Sequence, residues 1–178
     1  MEQEIFDIFD QNNTFTGIRK ARDLVHQEMK DWHRTTHIWI VNNQKEILCQ
    51  QRSLNKDKNP GLWQSYFGGH LKSGQTYEQN TVEELAEEIG LKVDPKDLIP
   101  VYIKKSDEAR HFGQVYLLKW NSDLKDLKFN DGEVQQVKWI SLTDLSNLVS
   151  KGKFINRLDE KVIEFMEQSL RKTQGKIR

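Results

Sequence analysis

One cysteine, three prolines and no net charge mark this chain of 178 residues. With Cys49 alone, no internal disulfide and no cysteine-based zinc cage can form. Lys+Arg and Asp+Glu are both 27, so there is no basic excess of the kind a dedicated nucleic-acid-binding domain carries. A small anionic ligand stays compatible with this balance, because a local cluster can sit inside a neutral total. Long apolar runs are missing, and stretches such as Ile38 to Val41 are far too short to span a bilayer. The opening MEQEIFDIFD has neither a basic n-region nor an apolar h-region, so no signal peptide is expected. A reducing cytoplasm is the expected compartment, with no membrane and no nucleic acid polymer as partner.

What is present is enough for a core, at 36% hydrophobic and 30% charged residues. No internal repeat or low-complexity linker divides the chain, so one domain over 1–178 is the simplest reading. IFDIFDQNNTFTG reads as a hairpin, and Arg19 to Lys30 as polar, irregular or weakly helical chain. Strands are expected over His37 to Val41, Glu46 to Arg52, Leu98 to Lys104, Gln114 to Trp120 and Val134 to Ile140, the last after an Asp131-Gly132 turn. Thr76-Tyr77-Glu78-Gln79 has the form of a capping box and opens a helix that Gly90 can end. Ser141 caps a short helix. Phe154, Leu158, Val162, Phe165, Met166 and Leu170 follow helical spacing, which predicts a helix over about 155–171. Mixed strands and helices give an α/β or α+β sandwich with a mixed sheet.

The informative stretch is Gly68-Gly69-His70-Leu71-Lys72-Ser73-Gly74-Gln75-Thr76 and the helix after it. Glu78, Glu83, Glu84, Glu87 and Glu88 lie between Ser73 and Leu91 with no Lys, Arg or His among them. Glu84, Glu87 and Glu88 are spaced to share one helix face. Like charges at that spacing cost roughly 0.2–0.5 kcal/mol per pair. A divalent cation would turn this cost into binding energy, and oxygen donors select Mg²⁺ or Mn²⁺. The plain alternative is a solvated acidic face.

With these residues in place, the chain resembles a Nudix protein, whose box is G-x5-E-x7-R-E-U-x-E-E-x-G-U with U a bulky aliphatic residue. Gly69, Glu84, Leu85, Glu87, Glu88, Gly90 and Leu91 match it over 69–91, and Gln75 and Glu83 stand where the family has Glu and Arg. The resemblance implies an α/β/α sandwich with an N-terminal hairpin extension over about 1–35. It implies metal ligation by Glu84, Glu87 and Glu88, with Glu87 or Glu88 assisting a water, and hydrolysis of a diphosphate linkage in a nucleoside diphosphate derivative or related metabolite. A homodimer is compatible with the family. The altered pair puts the bracing of the loop against the helix in doubt, although Gln75 can still donate to Glu83.

His26, His33, HIWIVN, LCQQRS, PGLWQSYFGGH and EVQQVKWISL extend the resemblance to the subgroup related to isopentenyl-diphosphate isomerase. His26, His33 and His70 fall at positions like three metal-binding histidines of that enzyme. Its cysteine position is Gly68 here, however, and Cys49 lies well upstream. Three readings therefore stand: hydrolase, isomerase-like protein and non-catalytic binder. For phosphate contacts the candidates are Arg52, Gly69, His70 and Lys72, with Lys104 nearby. Glu133 is a candidate fourth carboxylate. Trp63, Tyr66 and Phe67 are candidates to stack on a base, with core packing as the alternative.

Overall fold

The structure is a computed structural model that describes residues 3–56, 58–129, 132–155 and 159–174. The chain opens with an antiparallel hairpin of β1 (Ile5–Phe9) and β2 (Phe15–Ala21), followed by α1 (Arg22–Glu28). Asp10 shapes the hairpin turn by accepting from the amides of Asn12 and Thr14. The expected irregular stretch over Arg19 to Lys30 is thus the end of a strand and a short helix.

The main sheet contains β3 (His33–Val41), β4 (Ile47–Arg52), β5 (Trp63–Gln64), β6 (Ile99–Ser106), β7 (His111–Lys119) and β8 (Val134–Ile140). Their order is β5-β4-β3-β7-β6, with β8 also paired to β4. Only β3 and β7 run parallel, so the sheet is mixed. β3 and β7 begin earlier than their apolar patterns announce, at His33 and His111, which face each other in register. Phe6 of the hairpin stacks on His33, and Phe9 packs with Trp32 and Phe112 at these strand starts.

Alternation along the strands feeds two cores. Ile38, Ile40, Leu48, Tyr116 and Leu118 pack with Leu85 and Ile89 of α2 (Tyr77–Ile89). Trp39, Val41, Ile47, Cys49, Val115 and Leu117 face the other way. There they meet Leu145 of α3 (Leu142–Ser150) and Val162 and Met166 of α4 (Glu160–Gln174). Helices on both faces explain why β3 reads as a continuous apolar run at its end. The result is an α/β/α sandwich. The C-terminal helix starts at Glu160, not near 155, and Phe154 enters the core ahead of it. Asp131 of the expected turn, Leu158 and the side chain of Leu170 lie outside the described residues. No helix among the described residues is long and apolar enough to cross a membrane.

α2 begins and ends as its sequence predicts. The Thr76 hydroxyl accepts from the Gln79 amide at 3.2 Å, and the Gln79 side chain accepts from the Thr76 amide at 2.9 Å. Gly90 closes the helix at φ 67°, in the left-handed region that favours glycine. Removing the capping hydroxyl with Thr76→Ala should cost about 0.5–2 kcal/mol, read as a shift of the urea midpoint. An unchanged midpoint would mean that core packing alone holds the helix start.

Candidate active site

The loop before α2 runs along the edge of β3. Thr36 N–H donates to the Gly69 carbonyl at 2.9 Å, and Ile38 and Phe67 exchange backbone bonds at 2.8 and 3.0 Å. Gly68 has φ +120°, and a Cβ there would run into the Thr36 carbonyl oxygen. A Cβ on Gly69 would sit 2.7 Å from Cδ of Glu84. The two glycines therefore let the loop pass between β3 and the first box glutamate. Buried Asn80 ties these parts together. It accepts from the Thr36 hydroxyl at 2.6 Å and donates to the His70 carbonyl at 3.1 Å and to Glu84 at 3.4 Å.

Glu84, Glu87 and Glu88 all line one cavity of about 330 Å³, at the low end of the roughly 300–1,000 Å³ range of small-molecule sites. Gly69, His70, Lys72 and Glu133 line it too. Burial, then the neighbouring charge of Glu87, pushes the Glu84 carboxyl up to about 7, against the Asn80 hydrogen bond. Glu88 is buried and lies 3.4 Å from the Gln50 amide nitrogen. This donor set fits a hard divalent ion, because a cation among the three carboxylates would offset the desolvation and repulsion that raise the Glu84 carboxyl.

Three cations reach the same cavity, each beside a carboxylate. Lys72 pairs with Glu83 at 2.7 Å, Lys56 with Glu133 at 2.7 Å and Arg22 with Glu4 at 2.7 Å. Glu4, Arg22 and Lys56 had no signal in the sequence. They lie in polar segments without pattern and reach the site only through tertiary folding. The hairpin that brings Glu4 and Arg22 is pinned to the box loop. Ser73 N–H donates to the Ile5 carbonyl at 2.7 Å, and Asp7 accepts from the Ser73 hydroxyl and the Gly74 amide.

Other candidates fall elsewhere. Arg52 is not among the cavity residues, and its Nε donates to the Lys58 carbonyl at 3.0 Å. Lys104 is exposed on β6. Phe67 is fully buried against α2, and Trp63 and Tyr66 pack on the opposite core, so none of the three lines the cavity. Cys49 is fully buried on the α3/α4 side of the sheet, and burial pushes its thiol up. Its neighbour Gln50 points to the glutamates, so strand alternation turns the thiol away from them.

His26, His33 and His70 meet beside the glutamate cavity, with ligand atoms within 4.8 Å of one another. Phe6 of the hairpin stacks on His33 and His70 at 5.4 and 5.3 Å. Imidazole donors in this arrangement suit a borderline metal ion better than Mg²⁺. His111 extends the cluster, 5.8 Å from His33, and His37 follows 6.0 Å from His111.

A family model for the NUDIX domain matches residues 31–160. The chain belongs to the Nudix family. It is 31% identical over 158 residues to an uncharacterised Nudix hydrolase of Clostridium acetobutylicum, covering 84% of this chain and 75% of that one. It is 32% identical over 163 residues to Nudix hydrolase 3 of Arabidopsis thaliana, where the match takes in 85% of this chain but only 21% of the plant protein. An isopentenyl-diphosphate Delta-isomerase of Klebsiella pneumoniae is 27% identical over 121 residues, 64% of this chain and 63% of its own. Among solved structures, one from Deinococcus radiodurans superposes with a TM-score of 0.69 at 19% identity, covering 93% of this chain and 98% of the other. The Nudix match begins after the hairpin and α1, so Arg22, Glu4 and His26 join the site from outside the matched segment.

Buried His33 and partly buried His70 predict an acid limit for this Nudix fold. Burial, then the charge of His111, lowers His33 to about 4, and burial, then His33, lowers His70 to about 2. The unfolded chain protonates them near 6.5. Their contribution to stability is therefore complete above about 6.5 and is lost as the pH falls toward the folded values. In chelator, the urea midpoint should fall between about pH 6.5 and 5, and His33→Gln should flatten that fall. An equal slope in the variant would show that His33 protonates as freely folded as unfolded.

Proposed function

We propose that this Nudix protein is a cytoplasmic, Mg²⁺- or Mn²⁺-dependent hydrolase that cleaves a diphosphate linkage in a nucleoside diphosphate derivative or related small metabolite. The observation that carries this reading is the convergence of Glu84, Glu87 and Glu88 on one cavity, with the Glu84 carboxyl pushed up to about 7. These three residues hold the ion. When bound, it offsets charge on the diphosphate and makes a water more acidic. Glu87 or Glu88 accepts a proton as water oxygen bonds to phosphorus and the bridging P–O bond breaks, leaving two phosphate-bearing products. Lys56 and Arg22 are placed to meet phosphate oxygens, and Glu133 is a further carboxylate at the same cavity. The N-terminal hairpin acts as an extension of a single Nudix unit, walling one side of the site.

The histidine cluster favours a second reading, an isomerase-like metal centre. Carbon-skeleton isomerisation by that route needs a thiol before the Gly-His pair, and the geometry at Gly68 speaks against it. Gly68→Cys should destabilise the protein by about 1–3 kcal/mol, through the positive φ and the Thr36 carbonyl, and should not create isomerase activity. A stable, isomerising variant would reverse that judgement.

The deciding test is phosphorus and proton NMR on a panel of diphosphate compounds that includes isopentenyl diphosphate, with and without Mg²⁺. New phosphate resonances that require Mg²⁺ are expected. Glu87→Gln should remove most of this turnover, by about 10²-fold or more, while leaving the melting temperature within a few degrees. Full turnover in the variant would sink the hydrolase assignment. Shifted alkene protons with an intact diphosphate would favour the isomerase, and binding without change a non-catalytic protein.

A further inference from the structure

The Nudix pattern places a carboxylate in the loop and a cation on the helix, at positions 75 and 83. This chain has Gln75 and Glu83 there, so the helix residue has changed sign. The loop nonetheless remains tied to the helix. Lys72 Nζ meets Glu83 Oε1 at 2.7 Å, and the Gln75 side-chain amide donates to Glu83 Oε2. Gln75 in turn accepts from the Lys72 backbone amide at 2.7 Å. Each oxygen of Glu83 thus takes one donor from the loop.

Resting on the hydrolase reading above, we propose that the brace has reversed its polarity. Lys72 supplies from the loop the cation that the helix lacks, and acts as a positioning residue for the metal-binding glutamates. Glu83 adjoins Glu84 in sequence and lies one turn before Glu87, so fixing Glu83 fixes the helix face that carries both. The loop end of the brace carries Gly69 and His70, which line the same cavity as the glutamates. An ion pair as exposed as this one, with 44% and 37% of its side chains accessible, adds little to global stability. Its effect is felt in the geometry of the site.

The test titrates Mn²⁺ alone into the full chain by calorimetry. Lys72→Met should weaken Mn²⁺ binding about tenfold, the usual cost of removing a residue that orients metal ligands, with little change in melting temperature. Lys72→Arg should bind like the parent protein. The triple variant Lys72→Met, Gln75→Glu, Glu83→Arg installs the family's own pair without a cation at position 72. It should recover Mn²⁺ affinity to within about threefold of the parent, and recover kcat on whichever diphosphate the NMR panel identifies. If Lys72 instead serves only to hold substrate phosphate, Lys72→Met leaves Mn²⁺ binding unchanged and raises KM alone, and the triple variant is not rescued. Either result overturns the reversed brace while leaving the hydrolase intact. A parent protein that binds no Mn²⁺ overturns both.

Discussion

Three carboxylates share a cavity that is partly closed to water, and they repel one another. Much of the surrounding structure holds them there against that repulsion. The capping box and Gly90 set where α2 starts and stops, and Leu85 and Ile89 anchor its apolar face in the core. Glu84, Glu87 and Glu88 are then left on the cavity side. Asn80 joins the helix to β3 and to the loop, and Gly69 gives Glu84 the room a side chain would take. Burial, then the charge of Glu87, raises the Glu84 carboxyl, and a divalent ion would offset both.

Around this acidic centre, cations arrive from three separate parts of the chain. Arg22 comes with the N-terminal hairpin, Lys56 from the segment after β4 and Lys72 from the box loop itself. Each rests beside a glutamate, so charge in the site is arranged as neighbouring pairs rather than as one acidic and one basic patch. A diphosphate entering with metal would find both signs already in place. The hairpin also covers the histidines with Phe6, which joins the second cluster of possible ligands to the wall of the first.

The resemblance to isomerases and the resemblance to hydrolases divide along structural lines. The histidines keep their mutual approach, whereas the thiol position is a glycine held at positive φ against a backbone carbonyl. The lone cysteine is buried on the other face of the sheet. These are backbone and packing constraints, and they weigh more than the presence or absence of one residue type.

Sequence by itself determined whatever depends on local spacing. The box glutamates, the capping box at Thr76, the Gly90 stop, β8 and the hairpin were legible because helix and strand periodicity, turn residues and caps act over a few positions. The bond between Gln75 and Glu83 was legible only through the family pattern. Only the tertiary structure decided which charges meet. Lys72 of the loop pairs with Glu83 where the family has its arginine, and Lys56 and Arg22 rather than Arg52 reach the cavity. It also decided that Trp63, Tyr66 and Phe67 are spent on the cores, and that the strands beginning at His33 and His111 extend through polar residues. Those outcomes rest on contacts between segments far apart in the chain. A polar residue gives no local sign of whether it will face solvent, a partner of opposite charge or the wall of a site.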